Sequence, residues 1–183
     1  MSLSNILNTQ GSNVEKVQLI NDRGIHIMKS LVAYQKLGEN KTPETEKEKG
    51  DHFVGKYYVG FDEDTMMEDA QEALRKWEAN DKEIKSLWKK MNDWVYKGYD
   101  VTYKSLGSEF DKNYYESEIY ETGKAIIEEG VKKNIFTKEE DGSVSVSLED
   151  IGLDKKTLQR SDGTSIYVTQ DLALAVERQK QYK

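Results

Sequence analysis

The sequence contains no cysteine among its 183 residues and only two histidines, His26 and His52. Without thiols the chain cannot form a disulfide framework, a thiolate metal site or a cysteine nucleophile. Two histidines also argue against a histidine-rich metal site, and neither has a serine at a spacing that suggests a hydrolase triad. We therefore predict no metal site, no cysteine nucleophile and no hydrolase triad, and we assign a catalytic role to no residue of this chain.

Long apolar runs and an excess of basic residues are also missing. No run of 18 apolar residues occurs, and no basic segment precedes an apolar one, so the sequence predicts no membrane span and no secretion signal. The cytoplasm is the expected location. The net charge of -7 gives no electrostatic footprint for nucleic acid, where a clustered basic face is expected.

Proline occurs once, in the charged segment 39–50, which we predict to be a solvated loop. Apolar residues make up 36% of the chain and charged residues 33%, which implies a large surface relative to the core. Tyrosine nevertheless occurs 11 times, with 3 tryptophans and 4 phenylalanines. Because aromatic side chains are depleted in disordered segments, this content indicates a folded chain.

The first part of the chain reads as a strand, a polar turn and a helix. Apolar residues from Val14 to Ile20 predict a strand that ends at the turn Asn21–Gly24. A helical stripe then runs from Ile25 to a stop at Gly38. Before this unit, residues 4–10 suit the end of a helix that Gly11 closes.

Two amphipathic helices follow within residues 64–106. Their apolar stripes recur at helical spacing, and Asn80 with Glu83 fits a capping box at the start of the second helix. The short gap between them suggests an antiparallel helical hairpin. The tryptophans of these stripes leave two interpretations open, a buried core or an acidic interaction module that docks a partner protein.

The last part of the chain mixes strands and helices. We predict a strand at 110–115, a helix from Ile119 to Val131, and a β-hairpin at 135–148 around the turn Asp141-Gly142. A second such turn, Asp162-Gly163, precedes a short strand at 166–168. That strand runs into a helix at 170–181 that carries Leu172, Ala175 and Val176 on one face.

Two turns of the strand-to-helix type could border a ligand site, because helix N-termini present free N–H groups there. The first contains Asp22, Gly24 and His26, and its histidine could meet a phosphate or act as a general base. The second contains Tyr167 and Asp171, whose phenol and carboxylate suit a guanidinium or ammonium group. The alternatives are that the aspartates support helix starts, that His26 is a packing residue and that Tyr167 is a core aromatic.

Several longer strings resemble the arginyl-tRNA synthetases, a family of class I aminoacyl-tRNA synthetases. The matching strings follow the order of that family and cover nearly the whole chain: Val17–Ser30, Gly50–Val59, Lys90–Val95, Tyr115–Ser117 and Arg160–Asp171. The joint match is far more specific than any one short motif. At residues 21–24, however, this chain has Asn-Asp-Arg-Gly where many members of the family have Gly-Asp-Trp-Gly.

The resemblance implies site residues and a fold. Tyr167 and Asp171 fall on the Tyr-x-x-x-Asp positions that contact substrate arginine in the family, whereas Asp22, Gly24 and His26 fall at the edge of the active-site cleft. The implied fold is α/β, a partial Rossmann-like catalytic domain with a mainly helical insertion and a small β-hairpin. Its segments are residues 4–38 in the first half of the nucleotide-binding fold, 39–108 in the helical segment, and 109–183 in the continuation, which includes the arginine-site segment 160–183.

The resemblance also implies a reaction. The parent enzyme joins arginine and ATP, accompanied by Mg²⁺, into arginyl-adenylate and then transfers the arginyl group to tRNA(Arg). The ATP-binding His-Ile-Gly-His-type and Lys-Met-Ser-Lys-Ser-type sequences and the family's terminal tRNA-binding domains are not in this sequence. We therefore expect an internal fragment that does not aminoacylate tRNA alone, that retains at most an arginine-binding half-site, and that could self-associate through exposed sheet edges.

Overall fold

The computed structural model describes residues 1–161, 163–164 and 166–181. Eight α-helices and five β-strands are assigned in this part of the chain, in the order α1 Ser2–Thr9, β1 Val17–Ile20, α2 Ile25–Leu37, α3 Pro43–Glu46, α4 Gly50–Val59, α5 Glu63–Glu78, α6 Lys82–Leu106, β2 Lys112–Tyr115, α7 Glu116–Lys132, β3 Thr137–Lys138, β4 Val144–Val146, β5 Lys156–Gln159 and α8 Tyr167–Gln181. Strand β1 pairs with β2, and β3, β4 and β5 form a second sheet in that order.

The chain divides into two units. The first comprises Met1–Gln18 and Asp22–Asn113, and the second comprises Leu19–Asn21 with the described residues after Asn113. Each unit has its own apolar core. No helix in the described part of the chain is both long and apolar enough to span a bilayer.

The core of the first unit is built by α2, α4, α5 and α6. Helix α5 packs chiefly against α2 and α6 chiefly against α4, while the contact between α5 and α6 is smaller. Three aromatic rings meet edge-on where α2, α4 and α6 converge, with the centroid of Tyr34 5.6 Å from that of Trp94 and the centroid of Phe53 5.5 Å from it. Such contacts add to the burial of apolar area, which is the main source of stability here.

Helices α4 and α6 approach each other closely at two glycines. A Cβ atom on Gly50 would overlap with the main-chain oxygen of Trp94, and one on Gly98 would overlap with the side chain of Asp51. The absence of side chains at both positions therefore lets the two helices cross at this distance.

The second unit packs α7 and α8 together and places the three-stranded sheet beside them. Strand β4 lies antiparallel to both neighbours, with Ser145 opposite Thr137 on β3 and opposite Thr157 on β5. The buried apolar side chains at the centre of this core are Ile127, Val144 and Leu158.

The structure confirms most of the predicted elements. Helix α2 begins at Ile25 and ends before Gly38, and α5 and α6 occupy the two predicted amphipathic stripes. The predicted hairpin is present as β3 and β4, and Gly142 in its turn has a φ of +87°. Strand β5, which the sequence did not predict, extends that hairpin to three strands.

Four local predictions are wrong. The segment 39–50 contains the helical turn α3, whose capping box joins Thr42 and Thr45, and it buries Pro43. The cap of α6 is Asp81, whose carboxylate accepts N–H bonds from the first turn, whereas Asn80 adopts a left-handed φ of 60°. The other two errors concern α8 and its neighbourhood.

Residues 167 and 168 belong to α8 and not to a strand, so this helix begins earlier than predicted. Its buried residues are Thr169, Gln170, Ala173 and Leu174, whereas the predicted face is largely outside the core, with Ala175 and Val176 exposed. The predicted turn at Asp162 lies outside the described residues, and Gly163 beside it has a φ of +81°.

Candidate functional site

The first candidate site lies where the turn after β1 leads into α2. Gly24 is the N-cap of α2 and has a φ of +101°, a conformation that favours glycine. Its carbonyl oxygen accepts the N–H groups of Ile27 and Met28 at 3.1 and 3.2 Å. Gly24 thus allows the chain to turn directly from the strand into the helix.

Asp22 in this turn is buried, with only 2% of its surface exposed. Its main-chain oxygen accepts hydrogen bonds from Trp88 Nε1 at 2.6 Å and Asn92 Nδ2 at 3.2 Å. The Tyr96 hydroxyl lies 3.2 Å from Asp22 Oδ2 and donates to it. No side-chain hydrogen bond caps α2, so Asp22 is not its cap, whereas electrostatic support of the helix start by Asp22 stays a prediction.

Arg23 follows Asp22 in this turn and is also buried, with 8% of its surface exposed. Its guanidinium group forms an ion pair with Glu78 at 2.8 Å and lies 5.3 Å from the ring centroid of Trp77. Planar guanidinium groups stack well on aromatic rings, so α5 accommodates a cation at this position.

His26 lies in the first turn of α2 and is exposed. The Tyr58 hydroxyl on α4 lies 3.3 Å from His26 Nδ1, and the two rings meet edge-on with centroids 6.1 Å apart. The imidazole is therefore accessible at the helix N-terminus, where an anionic group is stabilised by the free N–H groups.

The second candidate site is the first turn of α8. Tyr167 is 73% exposed, which rules out the alternative that it is a core aromatic. Asp171 is also exposed and lies one helical turn further along. Residues at this spacing share a helix face, with Cβ atoms about 5–6 Å apart. A phenol and a carboxylate in this arrangement can contact one cationic ligand together.

The opposite side of α8 fixes this face in place. Thr169 is fully buried, and its hydroxyl donates to the main-chain oxygen of Leu158 at the end of β5. Gly123 on α7 lets that helix approach, because a Cβ atom there would lie 2.8 Å from the Thr169 side chain. Burial of one face leaves Tyr167 and Asp171 directed toward solvent.

The structure places the two candidate sites in different units. Asp22, Gly24 and His26 belong to the first unit, and Tyr167 and Asp171 belong to the second.

Sequence reasoning missed the side chains that hold the first turn. Trp88 and Asn92 lie 66 and 70 residues from Asp22 along the chain, and nothing in the local pattern signals that contact. It also assigned no role to Glu116, a carboxylate at the start of α7 that is only 5% exposed.

The tryptophans of the helices in residues 64–106 are not exposed on the surface. Trp77 and Trp94 are 3% and 6% exposed, and Trp88 packs against the same core. The proposed acidic interaction module depended on these side chains, so its main support is removed. The burial of the tryptophans favours the other interpretation, in which they form part of the core.

Among the described residues, no three histidine, aspartate or glutamate side chains converge on a point that could hold a metal ion. The second unit has an open cavity of about 570 Å³ between α7 and the three-stranded sheet, lined in part by Ile127, Val131 and Val144. Neither Tyr167 nor Asp171 lines it.

Comparison with known proteins identifies the class. The family model described as tRNA synthetases class I (R), catalytic domain, matches residues 1–183. The chain therefore belongs to the catalytic-domain family of the class I arginyl-tRNA synthetases. The resemblance seen in the sequence is confirmed.

Curated relatives agree with this family. The arginine–tRNA ligase of Amoebophilus asiaticus is 47% identical over 204 aligned positions, which cover 100% of this chain and 34% of that protein. The arginine–tRNA ligase of Parabacteroides distasonis is 46% identical and is matched over 99% of this chain and 34% of its own length. The chain thus spans about a third of these curated relatives.

Solved structures support the fold. The arginyl-tRNA synthetase of Plasmodium falciparum superposes with a TM-score of 0.71 at 18% identity, covering 97% of this chain and 30% of that one. The Thermus thermophilus arginyl-tRNA synthetase gives a TM-score of 0.64 at 22% identity, covering 95% and 30%. The predicted mixed α/β class, with a largely helical middle segment, is confirmed.

Proposed function

We propose that this chain contributes the arginine-recognition face of an arginyl-tRNA synthetase through Tyr167 and Asp171. The supporting observation is their exposure one turn apart at the start of α8, in a chain whose family acts on arginine. The carboxylate of Asp171 would pair with the guanidinium group, and the Tyr167 ring would supply a flat wall and a hydroxyl. Asp22, Gly24 and His26 would lie at the edge of the same enzyme's cleft.

The full-length enzyme would then activate arginine with ATP and transfer it to tRNA(Arg) in the cytoplasm. In this class of reaction no covalent enzyme intermediate is needed, and the rate gain comes from positioning and from stabilising phosphate charge. Mg²⁺ would accompany ATP and supply charge neutralisation at the phosphates. The segments 4–38, 39–108 and 109–183 would be successive parts of that catalytic domain.

We further propose that this chain does not charge tRNA by itself, since it spans about a third of its relatives. An aminoacylation assay with purified chain, ATP, arginine and tRNA(Arg) tests this, and arginyl-tRNA formation at the rate of a full-length relative would contradict it.

Arginine recognition is tested by isothermal titration of the purified chain with L-arginine. We expect weak binding in the millimolar range, on the order of 4 kcal/mol, because one carboxylate and one ring supply only part of a pocket. L-Citrulline, which has the same shape without the charge, should not bind, and L-lysine should bind more weakly because it lacks the planar fork.

Two variants test whether the carboxylate of Asp171 contacts arginine. Asp171→Asn removes the charge with little change in volume and should abolish the arginine heat. Asp100→Asn makes the same change at an exposed position of α6 and should leave it intact. Binding that persists in Asp171→Asn, or an absence of arginine-selective heat in the unaltered chain, would contradict recognition by this face.

Self-association through sheet edges stays a prediction. The edge strands of the second sheet are β3 and β5, and they carry Lys138 and Lys156. Lysine on an edge strand disfavours pairing with another chain. Light scattering over a range of concentrations measures the average molar mass, which rises with concentration if the chain self-associates and stays constant if it does not.

A further inference from the structure

Side chains from α6 hold the turn Asp22–Gly24. Two donors converge on one main-chain oxygen, since Trp88 Nε1 and Asn92 Nδ2 both bond the carbonyl of Asp22, at 2.6 and 3.2 Å. These residues are one helical turn apart on α6, and Tyr96, a further turn along, bonds the Asp22 carboxylate. Three successive turns of one helix therefore contact a single residue of the turn.

Helix α5 contacts the same turn at the next residue. The Arg23 guanidinium group bonds Glu78, and its carbon lies near the face of Trp77. Trp77 in turn meets Trp88 edge-on, with ring centroids 5.4 Å apart. The residues that hold Asp22 and those that hold Arg23 thus contact each other.

Burial makes these hydrogen bonds costly to break. Asp22 and Asn92 are 2% and 6% exposed, so water does not readily replace a lost partner at either group. A buried carbonyl or amide that loses its partner keeps the desolvation penalty, and the chain then gains by moving to find another partner. The contacts therefore restrict where the carbonyl of Asp22 can point.

We propose that Trp88 and Asn92 are positioning residues, which hold the Asp22 carbonyl and thereby set the direction in which α2 starts at Gly24 and presents His26. Gly24 allows a wide range of φ, so without a fixed preceding peptide the start of α2 would be poorly defined. The relevance for catalysis rests on the proposed function, in which this turn borders the cleft. The positioning itself is independent of any ligand.

The test is nuclear magnetic resonance on the full chain, without substrate, for Trp88→Phe and Asn92→Leu. Trp88→Phe removes the N–H donor but keeps most of the aromatic ring. We therefore expect this variant to fold even if Asn92→Leu does not. We expect the carbonyl-carbon signal of Asp22 and the imidazole signals of His26 to move in these variants. Exchange of the Ile27 and Met28 amides, which bond the Gly24 carbonyl, should rise about fivefold to tenfold relative to α5 amides, the factor for one lost hydrogen bond.

Met91→Leu is the matched control, because Met91 lies on α6 between the two donors, is buried in the core and has a side chain that cannot donate a hydrogen bond. It should leave the Asp22, His26 and amide signals unchanged. If Trp88→Phe leaves the His26 signals and the relative exchange at Ile27 and Met28 unchanged, or if Met91→Leu changes them equally, the positioning role is wrong. Neither result depends on arginine binding. A failure of the positioning role can therefore be distinguished from a failure of the proposed function.

Discussion

Individual residues control how closely the helices of the first unit approach. At the crossing of α4 and α6, Gly50 faces the main chain of Trp94, and Gly98 faces Asp51. The neighbouring atoms at Gly50 are backbone atoms, which cannot rotate away as a long side chain can. This position therefore tolerates no added volume without movement of a whole helix.

We predict that Gly50→Ala destabilises the protein by about 1–3 kcal/mol, because the new methyl group overpacks the crossing. Urea unfolding followed by tryptophan fluorescence measures the change. Gly55→Ala is the control on the same helix, where a Cβ atom meets nothing within 4 Å. It should raise stability by about 0.5–1 kcal/mol through helix propensity, and an equal loss in both variants would contradict the steric explanation.

At the same scale, local sequence patterns indicated which side chains share an element but not what surrounds each of them. The spacing of Tyr167 and Asp171 indicated that both could contact one ligand, and the structure exposes them one turn apart at the start of α8. The burial of Asp22 could not be predicted, because it depends on donors some 66 to 74 residues away in the chain. Local patterns carry no information about such long-range hydrogen bonds.

Among the elements, those with a strong helical stripe were predictable and those fixed by tertiary contacts were not. Helices α2, α5, α6 and α7 each follow a clear apolar period and agree with the prediction. Residues 166–168 contain β-branched and aromatic side chains that favour a strand, yet residues 167 and 168 are helical. Contacts of the next residue, Thr169, with β5 and α7 help to hold them there.

The three-stranded sheet contains an acid-sensitive contact. The Glu139 carboxylate accepts a hydrogen bond from the Ser145 hydroxyl and pairs with Lys155 at 2.7 Å. The ion pair with Lys155, followed by the bond from Ser145, lowers the pKa of Glu139 below its usual value. A carboxyl group with a lowered pKa in the folded state stabilises the fold above its unfolded pKa, and this contribution is lost as the pH falls.

We predict that the second unit loses stability on going from about pH 6 to about pH 3.5, in part through protonation of Glu139. Carbon-13 titration of the carboxyl groups should place the pKa of Glu139 below the usual value for a glutamate. Glu139→Gln should reduce the pH dependence, whereas Glu140→Gln, at the adjacent exposed position, should not. Equal pH dependence in Glu139→Gln and the unaltered chain would show that the contact contributes nothing.

For the molecule as a whole, the division into two units means that different spectroscopic signals report on different units. The 3 tryptophans, Trp77, Trp88 and Trp94, all lie in the first unit. Tryptophan fluorescence therefore reports the first unit, while far-ultraviolet circular dichroism reports the helices of both. Domains with separate cores need not unfold in one two-state transition.

We predict that Leu158→Ala lowers the stability of the second unit by about 2–5 kcal/mol, because it leaves a cavity at a side chain that is 1% exposed. The dichroism transition should split or broaden toward lower urea, while the fluorescence midpoint stays unchanged. Leu153→Ala is the control at a leucine that is 55% exposed, and it should have little effect. A fluorescence midpoint that shifts together with the dichroism would mean that the two units unfold cooperatively.

The hydrogen bonds at Asp22 also bear on how this turn can vary among relatives. Trp88 and Asn92 bond a main-chain oxygen, which every amino acid supplies, so these two bonds do not depend on which side chains the turn carries. Substitutions at Asn21 or Arg23 can therefore accumulate without loss of these bonds, whereas α6 must retain its two donors. We expect sequence drift within the turn to be common, and drift at positions 88 and 92 to be rare, wherever this helix is present.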